Sequence, residues 1–265
     1  MSFALNDGAI LKRKELLVVI PHSGVIIPAE IKLDDLSEDF FEMARNVDWF
    51  TDWLYDFRDL LDNRQIIFPF CSLVLEANRH PDRVDDCVPL LDVHGKRVYK
   101  HGREPGRELR QMLATKYLRR FHKAIEEHIA CGAEFMLDGH STVTARGMTD
   151  DQIDIMNFQH SALDEKPLHF SPGDYAEAYA EELRRLLPEV KVTVNASKYH
   201  NVYGHIAAAH SINARRREKT KVPAIIQETN EHLYKNPDGS PNIKALNRLR
   251  RAFAQSIDAA WRRVR

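Results

Sequence analysis

Two short apolar runs in the chain each end in polar residues that include a histidine. Residues 15–20 read Glu-Leu-Leu-Val-Val-Ile and lead into a turn that contains His22, and residues 134–141 read Glu-Phe-Met-Leu-Asp-Gly-His-Ser and contain His140. A short apolar run that is bounded by turn residues is typical of a buried β-strand. We therefore expect two buried strands that each present a histidine at the carboxyl end.

The rest of the chain alternates between helical and extended patterns. Apolar residues recur at helical spacing over about 37–61, 105–130 and 243–261, and a further helix begins near Ser171 and stops before Pro188. Extended patterns predict strands at 65–68, 72–75, 190–194 and 223–230. Two stretches, 80–106 and the polar segment that runs from Arg146 to Asn157, are predicted to be loops, and the long first one is typical of a functional segment.

This alternation predicts an α/β fold with a mostly parallel sheet that is covered by helices on both faces. We find no internal repeat or linker, so residues 1–265 are expected to form a single domain. The formal net charge is −1 and 29% of the residues are charged, which does not favour nucleic acid or an anionic membrane as a partner. One dense basic run, 215–221, is interpreted as a solvated loop, with a rim that attracts anionic substrates as the alternative.

The first residues lack the pattern of a signal peptide, and no apolar run reaches the roughly 20 residues of a membrane span. We therefore expect a cytoplasmic protein that has no membrane partner. Cys71, Cys87 and Cys131 are widely spaced and include no Cys-x-x-Cys pair, so a disulfide framework or a thiolate zinc site is not indicated. His122 lies beside the apolar stripe of the 105–130 helix and is interpreted as a packed histidine.

The carboxyl ends of neighbouring strands meet at one edge of a parallel sheet, where ligands bind. His22, His140 and Glu228 would all lie at that edge. Two imidazoles and one acid can hold a catalytic zinc ion, whose fourth position is left for water. Asp48 is the best candidate for the acid, although Asp48 and Asp52 could also form an ordinary solvated face of the helix.

The remaining predicted roles follow from the chemistry of amide hydrolysis. A separate carboxylate must accept the proton of the attacking water, and Glu228 is predicted to be this general base. Asp138 could fix the tautomer of His140, or it could be a turn residue. Arg79 follows a predicted strand and could hold a substrate carboxylate with help from Asn78, although a surface charge is an equal alternative.

Five blocks of the sequence, in this order, resemble the N-formylglutamate amidohydrolase family. They are Pro21-His-Ser-Gly24, Val47-Asp-Trp-Phe-Thr-Asp52, Glu76-Ala-Asn-Arg79, Asp138-Gly-His-Ser141 and Gln227-Glu-Thr-Asn-Glu-His-Leu-Tyr234. The resemblance implies a phosphorylase/hydrolase-like α/β three-layer sandwich that is related to zinc carboxypeptidases and aspartoacylase. It also implies one Zn²⁺ ion and the same set of roles: metal ligands His22, Asp48 and His140, general base Glu228, and substrate-binding residues Asn78 and Arg79.

Departures from the family pattern concern the substrate more than the chemistry. Asn46, Glu76 and Ile226 stand where the family often has Asp, Asp and Gln, and residues 203–210 lack the Gly-Gly and Arg pattern of the family. We therefore expect a zinc amidohydrolase that acts on a small N-acyl amino acid or a related amide that carries a carboxylate. The alternatives are a zinc peptidase or deacylase that acts on a larger peptide or cell-wall substrate, and a metal-binding relative without catalysis.

Overall fold

The computed structural model describes residues 12–44, 47–143, 148–160, 167–201, 204–211 and 221–264. Most of the basic run 215–221 and residues Asn46, Arg146 and Gly147 lie outside these ranges. Within them, six strands form one sheet and two short strands pair separately. The strands are β1 (Leu16–Ile20), β2 (Arg64–Ile67), β3 (Phe135–Thr142), β4 (Gln152–Met156), β5 (Phe158–Gln159), β6 (Leu168–His169), β7 (Lys191–Val194) and β8 (Ala224–Asn230).

The large sheet has the strand order β2-β1-β3-β8-β4-β7. The pairs β2–β1, β1–β3 and β3–β8 are parallel, whereas β4 is antiparallel to β8 and parallel to β7. His140 of β3 lies directly opposite Glu228 of β8, and Val19 of β1 lies opposite Asp138. Partners in register face the same side of a sheet, so Asp138, His140 and Glu228 share one face.

Alternate residues of the strands supply two separate cores. Leu17, Val19 and Met136 pack on one face of the sheet, and Leu16, Val18 and Leu137 pack on the other. Helices cover both faces, which confirms the predicted three-layer α/β architecture. The helices are α1 (Phe40–Met43), α2 (Thr51–Leu54), α3 (Arg58–Leu61), α4 (Val84–Cys87), α5 (Arg107–Leu113), α6 (Arg119–Ala130), α7 (Gly173–Leu186), α8 (His205–His210) and α9 (Ile243–Val264).

The helices of each layer pack on the sheet through their stripes of apolar residues. Leu113, Phe121 and Ile129 of α5 and α6 belong to the first core, and Tyr179 and Phe253 of α7 and α9 belong to the second. A π-helical turn, Ala114–Leu118, joins α5 to α6, and Gly132 ends this helix with a φ of 110°. Among the described helices, none has both the length and the apolar character that crossing a bilayer requires.

The predicted long helix over 37–61 is wrong, because the segment forms the three short helices α1, α2 and α3. Helical spacing of the apolar residues persists across the breaks, although Phe40 and Met43 of α1 pack in the first core and Leu54 and Leu61 of α2 and α3 pack in the second. The break before α2 lies at Phe50, whose φ of 66° is in the left-handed region that a continuous helix excludes. Asp48 therefore lies in a turn and not on an exposed helical face.

Two further expectations differ from the structure. Residues 72–75 form a turn and not a strand, because the N–H groups of Val74 and Leu75 both donate to the carbonyl of Cys71. The polar segment that ends at Asn157 contains β4, where Ile153 and Ile155 face the second core and Asp154 faces the other side. The stretch 80–106 contains α4 and packs into the first core through Val88, Val98 and Tyr99.

Candidate metal centre

Three predicted metal ligands converge at the carboxyl edge of the sheet. His22 follows β1, His140 lies within β3, and Asp48 lies in the turn between α1 and α2. The Nδ1 atoms of the two histidines are 3.2 Å apart, and each is 3.5 Å from Oδ2 of Asp48. Three side chains that are up to 118 positions apart in the chain thus aim one donor atom each at a common point.

The spacing of these donor atoms matches a tetrahedral cation. A metal-to-ligand distance of about 2.05 Å places two tetrahedral ligands about 3.3 Å apart. The observed edges of 3.2, 3.5 and 3.5 Å lie close to this value. Two imidazole nitrogens and one carboxylate oxygen are also a donor set that zinc prefers at hydrolytic sites. The residues present therefore fit a zinc ion in both chemistry and spacing.

A carboxylate lies behind each imidazole. Nε2 of His22 is 2.6 Å from Oε1 of Glu76, and Nε2 of His140 is 3.0 Å from Oδ1 of the fully buried Asp138. An acceptor on the far nitrogen holds the proton there and leaves Nδ1 with a lone pair, which is the usual arrangement for a histidine that binds a metal. Glu76 therefore orients His22 through a hydrogen bond, whereas Asp138 lies at ion-pair distance from His140 without the geometry of a hydrogen bond.

The charges around the two imidazoles also favour a cation. Burial alone would lower the pKa of His22, but the negative charges of Glu76 and Asp48 outweigh it and raise this pKa to about 9. Burial likewise opposes protonation of His140, yet Asp138 and Asp48 raise its pKa well above the usual value. Two protonated rings would place two N–H donors head to head across 3.2 Å. One shared cation satisfies the same negative charges without that repulsion.

A tight turn and the backbone of β3 position the carboxylate of Asp48. The hydroxyl of Thr51 donates to the carbonyl of Asp48 at 2.7 Å, and the Tyr234 hydroxyl donates to the carbonyl of Trp49 at 3.2 Å. Oδ2 of Asp48 accepts a hydrogen bond of 3.1 Å from the N–H of Ser141. The contacts with His140 and His22 outweigh burial and hold the pKa of Asp48 below its usual range. Asp48 is therefore an anion at neutral pH.

Glu228 lies beside His140 in the sheet. Register partners on neighbouring strands are separated by about 4.8 Å, and both side chains are on the same face. Glu228 is 6% exposed, and its Oε2 has no hydrogen-bond partner among the described residues. Burial raises the pKa of Glu228 to about 8, against the opposing effect of His140. A buried carboxyl group with a pKa near neutrality and an oxygen that is still available suits a general base.

Asn78 and Arg79 border the same site. The side-chain oxygen of Asn78 accepts from the N–H of Ile206 at 2.9 Å, and its Nδ2 is 3.5 Å from Nε2 of His140. The guanidinium of the half-buried Arg79 donates to the carbonyl of Asn78 at 3.0 Å, and its charge lowers the pKa of Glu76. Asn78 therefore joins the metal centre to the start of α8, and the substrate-binding roles of both residues stay predictions.

The sequence did not identify two residues that shape the site. Glu76 contacts His22, although the sequence indicated only that it departs from a family pattern. The buried Tyr55 donates its hydroxyl to the carbonyl of His140 at 2.8 Å, and its ring lies where a side chain at Gly139 would be, 2.7 Å from an added Cβ. Asp138 and Gly139, which precede His140, and Gly24, which follows His22, were the available signals, but none of them reveals its partner.

Comparisons with known proteins agree with this geometry. The model of the N-formylglutamate amidohydrolase family matches residues 14–235. An N-formylglutamate amidohydrolase from Ralstonia eutropha JMP134 has a similar structure, with a TM-score of 0.64 and 16% identity over 98% of this chain and 97% of that one. The gene product Atu2144 from Agrobacterium tumefaciens has a TM-score of 0.62 and 15% identity over 96% and 92%. A search of curated proteins found no match.

Proposed function

Because the chain belongs to the N-formylglutamate amidohydrolase family, we propose that it is a zinc-dependent hydrolase that cleaves the amide bond of a small N-acyl amino acid. The observation that carries this proposal is the convergence of His22, Asp48 and His140, whose donor atoms have the spacing of tetrahedral ligands. The family places the reaction among hydrolyses of linear carbon–nitrogen bonds, and the zinc and the substrate are the proposed refinements.

In this proposal, His22, Asp48 and His140 hold the single ion. A zinc ion at this position acts as a Lewis acid and lowers the pKa of a water molecule toward neutrality. Glu76 and Asp138 keep the protons of the two imidazoles on the nitrogens that face away from the ion. The three side chains would thus supply three donors to the ion and would leave it accessible to water.

Glu228 is the proposed general base. Its Oε2 atom, which has no hydrogen-bond partner among the described residues, accepts a proton from the attacking water. Glu228 later gives this proton to the departing amine. Its position next to His140 on the neighbouring strand supports this role, because water near the ligands lies within reach of a side chain on the same face. Burial favours the neutral carboxyl group, so uptake of the water's proton is not opposed by a strongly acidic pKa.

Asn78 and Arg79 are proposed to bind the substrate carboxylate. A guanidinium can hold a carboxylate through two parallel hydrogen bonds, which fixes the amide relative to the metal ligands. Their backbone is anchored close to the site, since the N–H of Asn78 donates to Oε1 of Glu76 at 2.8 Å. We also propose that residues 1–265 form one cytoplasmic domain, and the single six-stranded sheet that spans Leu16 to Asn230 supports the domain assignment.

Metal content and activity of two variants test this proposal. We expect His140→Ala to lose bound zinc and activity together. We expect Glu228→Gln to retain zinc and the fold but to lose about 10²–10⁴-fold in kcat, because the side-chain amide of Gln cannot accept the proton of the attacking water. Zinc per chain is measured by mass spectrometry, and hydrolysis is measured with a series of N-formyl and N-acetyl amino acids.

His101→Ala is the matched control, since the His101 side chain is 91% exposed and lies near Glu104, which is not a proposed ligand. It should retain both zinc and activity. Full zinc content in His140→Ala would contradict the ligand assignment. Undiminished turnover in Glu228→Gln would remove Glu228 from the role of base while leaving the metal centre in place.

A further inference from the structure

Four histidines form a second cluster beside the metal centre. The rings of His210 and His122 have centroids 5.2 Å apart, those of His122 and His205 are 4.9 Å apart, and those of His205 and His80 are 4.5 Å apart. His122 belongs to α6, whereas His205 and His210 are the first and last residues of α8. None of the four takes part in the proposed hydrolysis, so the cluster needs a separate explanation.

Two nitrogens in this cluster are already paired. Nδ1 of His122 and Nε2 of His210 are 2.9 Å apart, and the two residues are 7% and 2% exposed. This is the length of an N–H···N hydrogen bond, in which one proton joins the neutral rings. It is also the separation of about 2.9 Å that two ligands have when they bind at right angles with bonds of about 2.05 Å. A cation could therefore replace the shared proton without a change in spacing.

The surroundings keep these imidazoles neutral, which is the form that binds metals. Burial lowers the pKa of His122 to about 3 and that of His210 to about 4, and repulsion between the rings adds to the effect. Burial also lowers the pKa of His205 to about 3, with Asp82 as a weak opposing charge. Each neutral ring keeps one lone pair, and a divalent cation at the His122–His210 pair would require the shared proton to move to the other nitrogen of the donor ring.

We propose that His122 and His210 bind a divalent transition-metal cation, with His205 as a third ligand. Two nitrogens 2.9 Å apart would bind one ion at an angle of about 90°, which favours square-planar or octahedral ions such as Cu²⁺ or Ni²⁺. The donor atoms of His22 and Asp48 are farther apart, at the spacing of tetrahedral ligands. Among the described residues, only His22, Asp48 and His140 place three donors within 4.8 Å of one another, so His205 must turn its ring toward the pair when the cation binds.

The cluster has a path to solvent and a connection to the metal centre. His80 stands at the outer end with a side chain that is 42% exposed, so a cation can approach through it. A cation at the inner pair would cross-link α6 to α8. The first turn of α8 is bonded to Asn78, whose carbonyl accepts from the N–H of His205 at 3.0 Å. The cross-link would therefore stiffen the element that supports Asn78.

Metal stoichiometry of the untagged full-length protein tests the proposal. The protein is treated with chelator, exposed to an excess of Ni²⁺ or Cu²⁺, desalted, and analysed for metal per chain. We expect two ions in the wild type, one in His122→Phe, one in His140→Ala, and two in the control His101→Ala. For the His140→Ala protein loaded with Cu²⁺, electron paramagnetic resonance should show coupling to nitrogen ligands.

Several outcomes would overturn the proposal. The same number of ions in the wild type and in a folded His122→Phe variant would do so, whether that number is one or two. His210→Gln provides a second test if His122→Phe does not fold, and it must also lose one ion. The test distinguishes this proposal from the proposed metal centre. If only the histidine cluster binds, the wild type and His140→Ala each hold one ion and His122→Phe holds none. If only the metal centre binds, the wild type and His122→Phe each hold one ion and His140→Ala holds none.

Discussion

Glu76 is a single side chain outside the proposed ligand set that contacts both His22 and the backbone of Asn78. Its carboxylate is 2.6 Å from Nε2 of His22 and also accepts from the N–H of Asn78. The charge of His22 outweighs burial and lowers the pKa of Glu76 to about 2, so the group is an anion at neutral pH. Glu76 thus fixes the ring of His22 and links it to the Asn78–Arg79 segment.

Replacement of this anion should weaken metal binding. We expect Glu76→Gln to bind zinc about 10–100-fold less tightly, since the neutral amide orients His22 less firmly and makes it less basic. Competition with a chromophoric chelator measures the affinity. Glu127→Gln is the control, because the Glu127 side chain is 64% exposed on α6. Equal affinities of Glu76→Gln and the wild type would show that His22 needs no such partner.

The individual site residues differ in how far the sequence could identify them. His22 and His140 follow or end apolar runs, and Glu228 falls at the end of another, so the strand pattern alone was enough to select them. The partners of the imidazoles were harder to identify. Whether Glu76 or Asp138 reaches a ring depends on side-chain direction and on the packing of two strands, and neither is encoded in the local pattern of apolar residues.

At the scale of elements, the turn from Asp48 to Thr51 carries the proposed metal ligand Asp48 between two short helices. Phe50 has a left-handed backbone conformation in this turn, which costs a residue with a side chain of the order of 1–2 kcal/mol. The buried Thr51 offsets this cost through its hydrogen bond to the carbonyl of Asp48. The strained turn lets Asp48 point at the sheet edge, where a regular helix would direct it elsewhere.

Loss of the Thr51 hydroxyl should therefore affect both stability and metal binding. We expect Thr51→Val to lower the free energy of unfolding by about 1–2 kcal/mol, because the shape is kept and one buried hydrogen bond is lost. Zinc affinity should fall as well, since the turn holds Asp48 less firmly. Chemical denaturation and chelator competition measure the two effects, and Thr115→Val at an exposed position is the control. Unchanged zinc affinity would mean that the Ser141 contact alone positions Asp48.

The predicted elements were correct where one physical requirement dominated. Buried strands β1, β3 and β8 and the helix α9 have strong apolar patterns, and the structure confirms them. The 37–61 helix was wrong because the apolar residues of three short helices repeat the spacing of a single helix, although α1 packs in the first core and α2 and α3 pack in the second. Strand β4 was missed because Gln152 and Asp154 are buried polar residues, and a strand whose second face is polar resembles a loop in composition.

At the scale of the whole molecule, the strand order brings the site together. β1, β3 and β8 are neighbours, so the residues at their carboxyl ends meet although more than 80 positions separate each from the next along the chain. Alternation of strands and helices predicts this convergence for a parallel sheet. It does not predict the direction of β4, because the orientation of a strand between β8 and the edge strand β7 depends on loops whose course the pattern does not specify.

The buried ionisable groups also predict how the stability of the whole metal-free protein depends on pH. His122, His205 and His210 have folded-state pKa values below the usual 6.5, so the unfolded chain binds more protons as the pH falls through 6.5 toward about 3–4. The contribution of these three histidines to the free energy of unfolding is therefore fully present above pH 6.5 and is lost as the pH falls below it. Glu228, with a raised pKa, has the opposite sign between its usual 4.5 and about 8, and it offsets one of the three. The raised pKa of His22 contributes stability that is lost as the pH rises from 6.5 to about 9.

Between pH 6.5 and 5 the wild type should therefore lose stability, and His122→Phe should lose less. One histidine that stays neutral in the folded state accounts for about 2 kcal/mol between neutral pH and pH 5, since the unfolded side chain titrates with a pKa of about 6.5. The variant lacks this group, whereas Glu228 and the other histidines are common to both proteins. Urea unfolding of chelator-treated proteins at pH 7.5, 6 and 5 measures the difference. Parallel curves for the two proteins would show that His122 accepts a proton in the folded state, which its burial against His210 and His205 opposes.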